Sequence, residues 1–197
     1  MDRRKALKSA GMLAGASLAM PSLLSLLQAC KNTPRLEWQP LFFTEAEALL
    51  VGALVDTLLP RTDTPGALDV KVDLFIDTLI ARAYPPEGQA YFRSELERFD
   101  ADCLAAHGAG FAALDPEGRK AALIRAEQEA GTFNRGVWGT AVGEQKPVGF
   151  YRSFKSLAIW AYFSSEEIGE NVLSYDPIPG AYHGCIPLAE VGNRWSL

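Results

Sequence analysis

Three groups of residues in this chain have types and spacings that could do chemistry. The first is Asp2-Arg3-Arg4-Lys5-Ala6-Leu7-Lys8, directly before an uncharged run from Ser9 to Ala29. Export signals place positive charge ahead of an apolar stretch, and adjacent arginines mark the twin-arginine route, with its pattern S/T-R-R-x-F-L-K. Arg3, Arg4, Leu7 and Lys8 keep that pattern; Asp2 and Ala6 depart from it. The general secretory route is the alternative. The second group is Leu27-Gln28-Ala29-Cys30, which is similar to a bacterial lipobox. Cys30 would be diacylated there and become the new N-terminus, each buried CH₂ adding about 0.8 kcal/mol of membrane affinity. The alternative is a cysteine that stands by chance near a cleavage site. The third group is His183-Gly184-Cys185, with Asp176 as a further donor. Metal sites need four ligands, or three and a water, so a packing or interface role is the plainer reading.

Other chemistry is missing. Gly108 to Ala113 spells G-x-G-x-x-A, but it follows a helical stretch and not a strand, so the dinucleotide motif lacks its context. There is no phosphate-binding loop, no C-x-x-C-H haem attachment and no G-x-S-x-G. Glu166-Glu167 stands at a helix start, where the helix dipole favours acids without any reaction. No catalytic, cofactor-binding or metal residue is assigned. With Cys30 lipidated, Cys103 and Cys185 remain. They could pair as a disulfide in an oxidising periplasm, or stay as two isolated buried thiols.

These residues need elements to hold them. Of the 197 residues, 48% are hydrophobic and 22% charged, which are globular values. The net charge is −5, and residues 1–29 carry four basic residues against one acidic, so their removal leaves about −8. No basic stripe follows Cys30, which argues against nucleic acid as a partner. Residues 1–29 read as a signal peptide and not a membrane span, because the run is only mildly apolar and contains Pro21. Residues 30–42 read as a tether, and 43–197 as a single helical domain.

Within that domain, Thr44 and Glu47 form a capping box ahead of an apolar period through Leu50, Leu54, Val55 and Leu58. Pro60 stops this helix. In Thr62-Asp63-Thr64-Pro65-Gly66-Ala67, Pro65-Gly66 suits the centre of a type II turn with positive φ at Gly66, and Asp63 can fold back on backbone N–H groups. A second helix is predicted over about 70–83, with Val72, Phe75, Ile76, Leu79 and Ile80 on one side, and a third over about 86–106. A fourth starts at Asp115 as N-cap with Pro116 at the first helical position. Residues 131–147 read as a loop. The fifth segment carries a stripe of Phe150, Phe154, Leu157 and Trp160 or Ala161, with Tyr151, Ala158 and Tyr162 beside it. So wide an apolar face belongs to a core helix or one that meets a partner. A short sixth helix follows Ser164 or Ser165.

The tail from Tyr175 to Leu188 holds Pro177, Pro179 and Pro187 and cannot be helix. It should lie as an extended strap, with Tyr175, Ile178, Tyr182 and Ile186 as apolar anchors, on its own helices or on another chain. The fold class is all-α, an irregular domain of five to six helices with a Pro/Gly-rich C-terminal arm.

Three stretches resemble the gluconate 2-dehydrogenase subunit 3 family: "FTEAEALLVGALVDTLLPRTDTPGALDVKVDLFIDTLI", "FKSLAIWAYFSSEEIGENVLSYDPIPGAYHGCIPL" and the closing "GNRWSL". T-D-T-P-G-A and Y-x-P-x-P-G-x-Y-x-G-C are their specific motifs. The resemblance implies a non-catalytic accessory subunit of a membrane-bound dehydrogenase of sugars, sugar acids or alcohols. It places FAD in a large partner subunit and makes a cytochrome c subunit a further candidate partner. It explains the paired arginines, because a flavoprotein that folds before export can ride out on a small subunit carrying the signal. The arm, at Tyr175, Pro177, Ile178, Pro179, Tyr182 and Ile186, then becomes a partner interface. The location implied is the bacterial periplasm, lipid-anchored to the membrane. A stand-alone periplasmic lipoprotein that binds another partner or ligand is the competing reading.

Overall fold

The computed structural model describes residues 38–133, 136–137, 140–144, 148–178, 180–181 and 184–196. Helix α1 (Glu45–Leu58) starts where the sequence says it should. The Thr44 hydroxyl accepts from the Glu47 N–H at 3.3 Å, and the Glu47 carboxylate accepts from the Thr44 N–H at 2.7 Å. Helix α2 (Val72–Ala83) follows Lys71, which sits in the left-handed region at φ 57°. Helix α3 (Pro86–His107) ends at Gly108, and a 3₁₀ turn (Phe111–Ala113) leads to α4 (Pro116–Glu129), with Asp115 as N-cap. The sequence-predicted loop contains a two-residue antiparallel ribbon, β1 (Gly136–Val137) and β2 (Thr140–Ala141), with Gly136 opposite Ala141. Then come α5 (Phe150–Phe163), a π-helical turn (Glu167–Val172) and a short α6 (Leu188–Val191). Among the described residues the domain is all-α apart from that ribbon.

Helix α5 is the centre, packed against α2, α3, α4 and the π turn. Its buried residues are Phe150, Tyr151, Phe154, Ala158, Ala161 and Tyr162. Trp160 is 53% exposed, so Ala161 and not Trp160 completes the buried stripe. An aromatic run crosses the core, with ring centroids 5.9 Å apart for Phe43–Phe92 and 5.3 Å for Phe92–Phe150. Aromatic pairs at such distances add to the burial of their own area. Phe75, expected inside, lies at the surface against Trp160.

The turn before α2 differs from its expectation. Gly66 does not have positive φ. It is required by close approach, since a Cβ there would stand 2.6 Å from the Arg61 backbone nitrogen. Asp69, not Asp63, accepts the Gly66 N–H, at 2.8 Å, and also holds Arg61 Nε at 2.7 Å. The Tyr162 hydroxyl donates to Pro65 O at 2.7 Å and so ties this corner to α5. The sixth helix is a π turn: Leu173 N–H reaches Ile168 O at 2.9 Å, and Ser165 bonds back to Tyr162 O instead of capping.

Candidate functional site

The predicted interface residues fall in the segment after the π turn. Ser174 is its first fixed point. The Ser174 N–H donates to Arg194 O at 2.9 Å, and its carbonyl accepts from the Ser196 N–H at 3.0 Å. Its hydroxyl lies 3.2 Å from both the carbonyl and the N–H of Asn193. The Asn193 amide donates to Val172 O at 2.8 Å, and the Ser196 hydroxyl donates to Gly169 O at 2.7 Å. Arg194 lies over the Phe163 ring, 4.7 Å from its centre, in a cation–π contact. Residues 175–192 therefore leave and return at one place. The sequence predicts an extended strap; the structure has a closed loop, with α6 on its returning limb. The bonds that close it come from the Gly-Asn-Arg-Trp-Ser end, a polar stretch that periodicity does not single out.

The loop shows its apolar residues to solvent. Ile178 and Leu188 are each 85% exposed, and Tyr175, Pro177 and Ile186 are exposed as well. Pro179 and Tyr182, also assigned to the interface, lie outside the described residues, as do His183, Arg3, Arg4 and Cys30. Single exposed apolar residues are ordinary, and this loop carries several of them.

The two remaining cysteines are not joined. Both are free: Cys103 is buried on α3, and Cys185 is exposed on the loop. This corrects both the disulfide and the pair of buried thiols. Burial, with help from Asp100 and Asp102, pushes the Cys103 thiol up to about 11. A neutral thiol of this kind is a poor nucleophile. Cys103 lines a pocket of about 160 Å³ between α3 and α4, with Phe99, His107, Arg125 and Glu129. That is below the roughly 300–1,000 Å³ of small-molecule sites. Among the described residues no three His, Cys, Asp or Glu side chains come together to hold a metal. Gly108 to Ala113 makes a helix end and a 3₁₀ turn that buries Phe111, not a strand-to-helix phosphate loop.

One polar site escaped the sequence reading. Asp77, 1% exposed on α2, accepts the backbone N–H groups of Leu41 (2.7 Å), Phe42 (3.0 Å) and Phe43 (2.9 Å). Arg93 donates to Phe42 O and to Glu47, both at 2.8 Å, and its guanidinium lies 4.3 Å from the centre of the Phe42 ring. Nearby Asp73 is raised above the ordinary carboxylate range by burial, against hydrogen bonds from the Leu74 backbone and the Trp38 side chain. Residues 38–43, the start of the described chain, are thus fastened to α2 and α3. The only signal in the sequence is an acid placed beside Ile76 in an apolar stripe.

No helix among the described residues is long and apolar enough to cross a membrane. A family model described as Gluconate 2-dehydrogenase subunit 3 matches residues 45–180, more than two thirds of the chain. No curated protein matches the chain, and no solved structure does.

Proposed function

The chain belongs to the gluconate 2-dehydrogenase subunit 3 family, and on that premise we propose that it is a non-catalytic escort and anchor. Membership makes it an accessory subunit of a dehydrogenase complex. The finer reading is that it carries a large FAD-dependent dehydrogenase of sugars, sugar acids or alcohols through the twin-arginine route, stabilises it and holds it at the periplasmic face of a membrane. Arg3 and Arg4 supply the export signal and Cys30 the lipid. FAD belongs to the partner, as the family resemblance implies. The observation that carries the partner-binding role is the loop after the π turn, where Tyr175, Ile178, Ile186 and Leu188 are exposed on a domain with a hydrophobic core of its own. Burying each such side chain on a partner is worth about 1.5–3 kcal/mol.

The test is affinity purification of the full chain from membranes, followed by mass spectrometry and an absorption spectrum. A large flavoprotein without its own signal peptide should co-purify and bring a flavin spectrum. Recovery of the chain from membranes without any flavoprotein sinks the escort reading and favours a stand-alone lipoprotein.

A further inference from the structure

Resting on the reading that the dehydrogenase docks on the arm, we propose that it recognises the two limbs of the arm, residues 175–178 and 184–192, as a pair held together beforehand at their base. The loop is held by the polar clasp of Ser174, Asn193 and Ser196. The clasp residues are then positioning residues for partner binding, although they supply none of the apolar contact. Three observations lead there. Tyr175 and Ile178 stand on the outgoing limb, Ile186 and Leu188 on the returning limb, and all four are exposed. Closure at Ser174 brings the start of the outgoing limb and the end of the returning limb together. The clasp uses both backbone groups of Ser174 and the side chains of Ser174, Asn193 and Ser196. Its last turn depends on Gly192, at φ 73°, a conformation that L side chains rarely adopt.

A loop closed beforehand loses less freedom on binding than a free tail, and preorganisation of this kind raises affinity without adding contacts. Asp176 and Glu190 are the acidic residues of residues 175–192, and no Lys or Arg stands among them. The partner surface that fits the loop is therefore an apolar groove and not a charged patch. Binding should change little with salt.

The experiment uses the full chain and the flavin-containing dehydrogenase subunit that co-purifies with it. One variant ends after Gly192 and removes the clasp while keeping the loop's apolar residues. A second, Ser174→Ala with Asn193→Ala, guards against misfolding of the first. A third, Ile178→Asp with Leu188→Asp, attacks the loop face itself. We expect the clasp variants to keep their helical circular dichroism and thermal midpoint and to bind the dehydrogenase about 10- to 100-fold more weakly. The loop-face variant should lose at least as much. In the chain without its partner, protease cleavage within residues 175–192 should be faster once the clasp is gone. Clasp variants that bind as tightly as the parent while the loop-face variant fails overturn the closed-loop inference and leave the arm as interface. A loop-face variant that binds normally overturns both. Equal cleavage rates in parent and clasp variants show a loop that is not held closed, which also ends the inference.

Discussion

Asp77 stands one residue after Ile76, inside the apolar stripe of α2, where a carboxylate would be expensive without partners. It has three, the N–H groups of Leu41, Phe42 and Phe43. Asp77→Ala leaves those donors unmatched next to a cavity. We expect a loss of about 2–4 kcal/mol, read as a lower urea midpoint. An unchanged midpoint would mean that water satisfies them equally well. Asp73 and Glu47 give opposite pH signatures. Asp73 is raised by burial. Well below about pH 4, the unperturbed value of an Asp, its carboxyl is protonated whether the chain is folded or not. As the pH climbs, the unfolded chain loses the proton first, so folding is increasingly penalised until the folded carboxyl ionises too. Asp73→Asn should flatten that decline, measurable as urea midpoints across pH 4 to 7. In Glu47, burial raises the pKa, but hydrogen bonds from Thr44 and Arg93 outweigh it and leave the group lowered. Its stabilisation is present at neutral pH and is lost as acid protonates it. If Asp73→Asn leaves the profile unchanged, burial does not control that carboxyl.

Two helix starts were legible because their signals are local, whereas the cap expected at Ser164 or Ser165 is not made. Thr44 and Glu47 satisfy each other's free N–H groups, and the Asp115 carboxylate accepts from the Gly118 N–H while Pro116 has no N–H to satisfy, all within three residues. The corner between α1 and α2 was legible only as a turn. Its acid is Asp69 rather than Asp63, and its glycine answers to a neighbouring strand of backbone rather than to φ. Gly66→Ala should therefore destabilise the domain by about 1–3 kcal/mol, because the contact is with backbone that cannot swing away. A Gly66→Ala protein that melts with the parent would show that the corner can open. The wide apolar face of the fifth helix allowed either a core helix or one that meets a partner, and the structure makes it the core helix, yet Trp160 and Ala161 were indistinguishable by period. Adjacent positions are 100° apart, and only the placement of α2 decides which one faces the core.

At the scale of the molecule, the proposed division of labour is a signal, a tether and a helical domain that binds a partner. Arg3→Lys with Arg4→Lys keeps the charge but not the guanidinium geometry. It should strand both this chain and its dehydrogenase in the cytoplasm, as seen by fractionation; normal export of the double variant removes the twin-arginine reading. Accessible thiols report on the domain surface. Cys185 should react with iodoacetamide well before Cys103 under native conditions, tracked by peptide mass mapping, since one is exposed and the other is buried with its thiol near 11. Equal rates would mean that α3 and α4 separate readily.

The sequence by itself determined the helices α1 to α5, the caps at Thr44 and Asp115, the wide apolar face of α5, the apolar character of the arm and, through T-D-T-P-G-A and the arm motif, the family. Those properties follow from residue type and short-range spacing. What tertiary structure decided was every contact between residues far apart in the chain. Asp77 on the 41–43 backbone, Tyr162 on Pro65 and Ser174 on Asn193 and Ser196 join segments that no period connects. The arm shows the difference most directly. Its prolines excluded a continuous helix, but nothing in its own residues says that it turns back. The closure is made by hydrogen bonds from a separate polar stretch, and these exist only once both ends have been brought to the π turn.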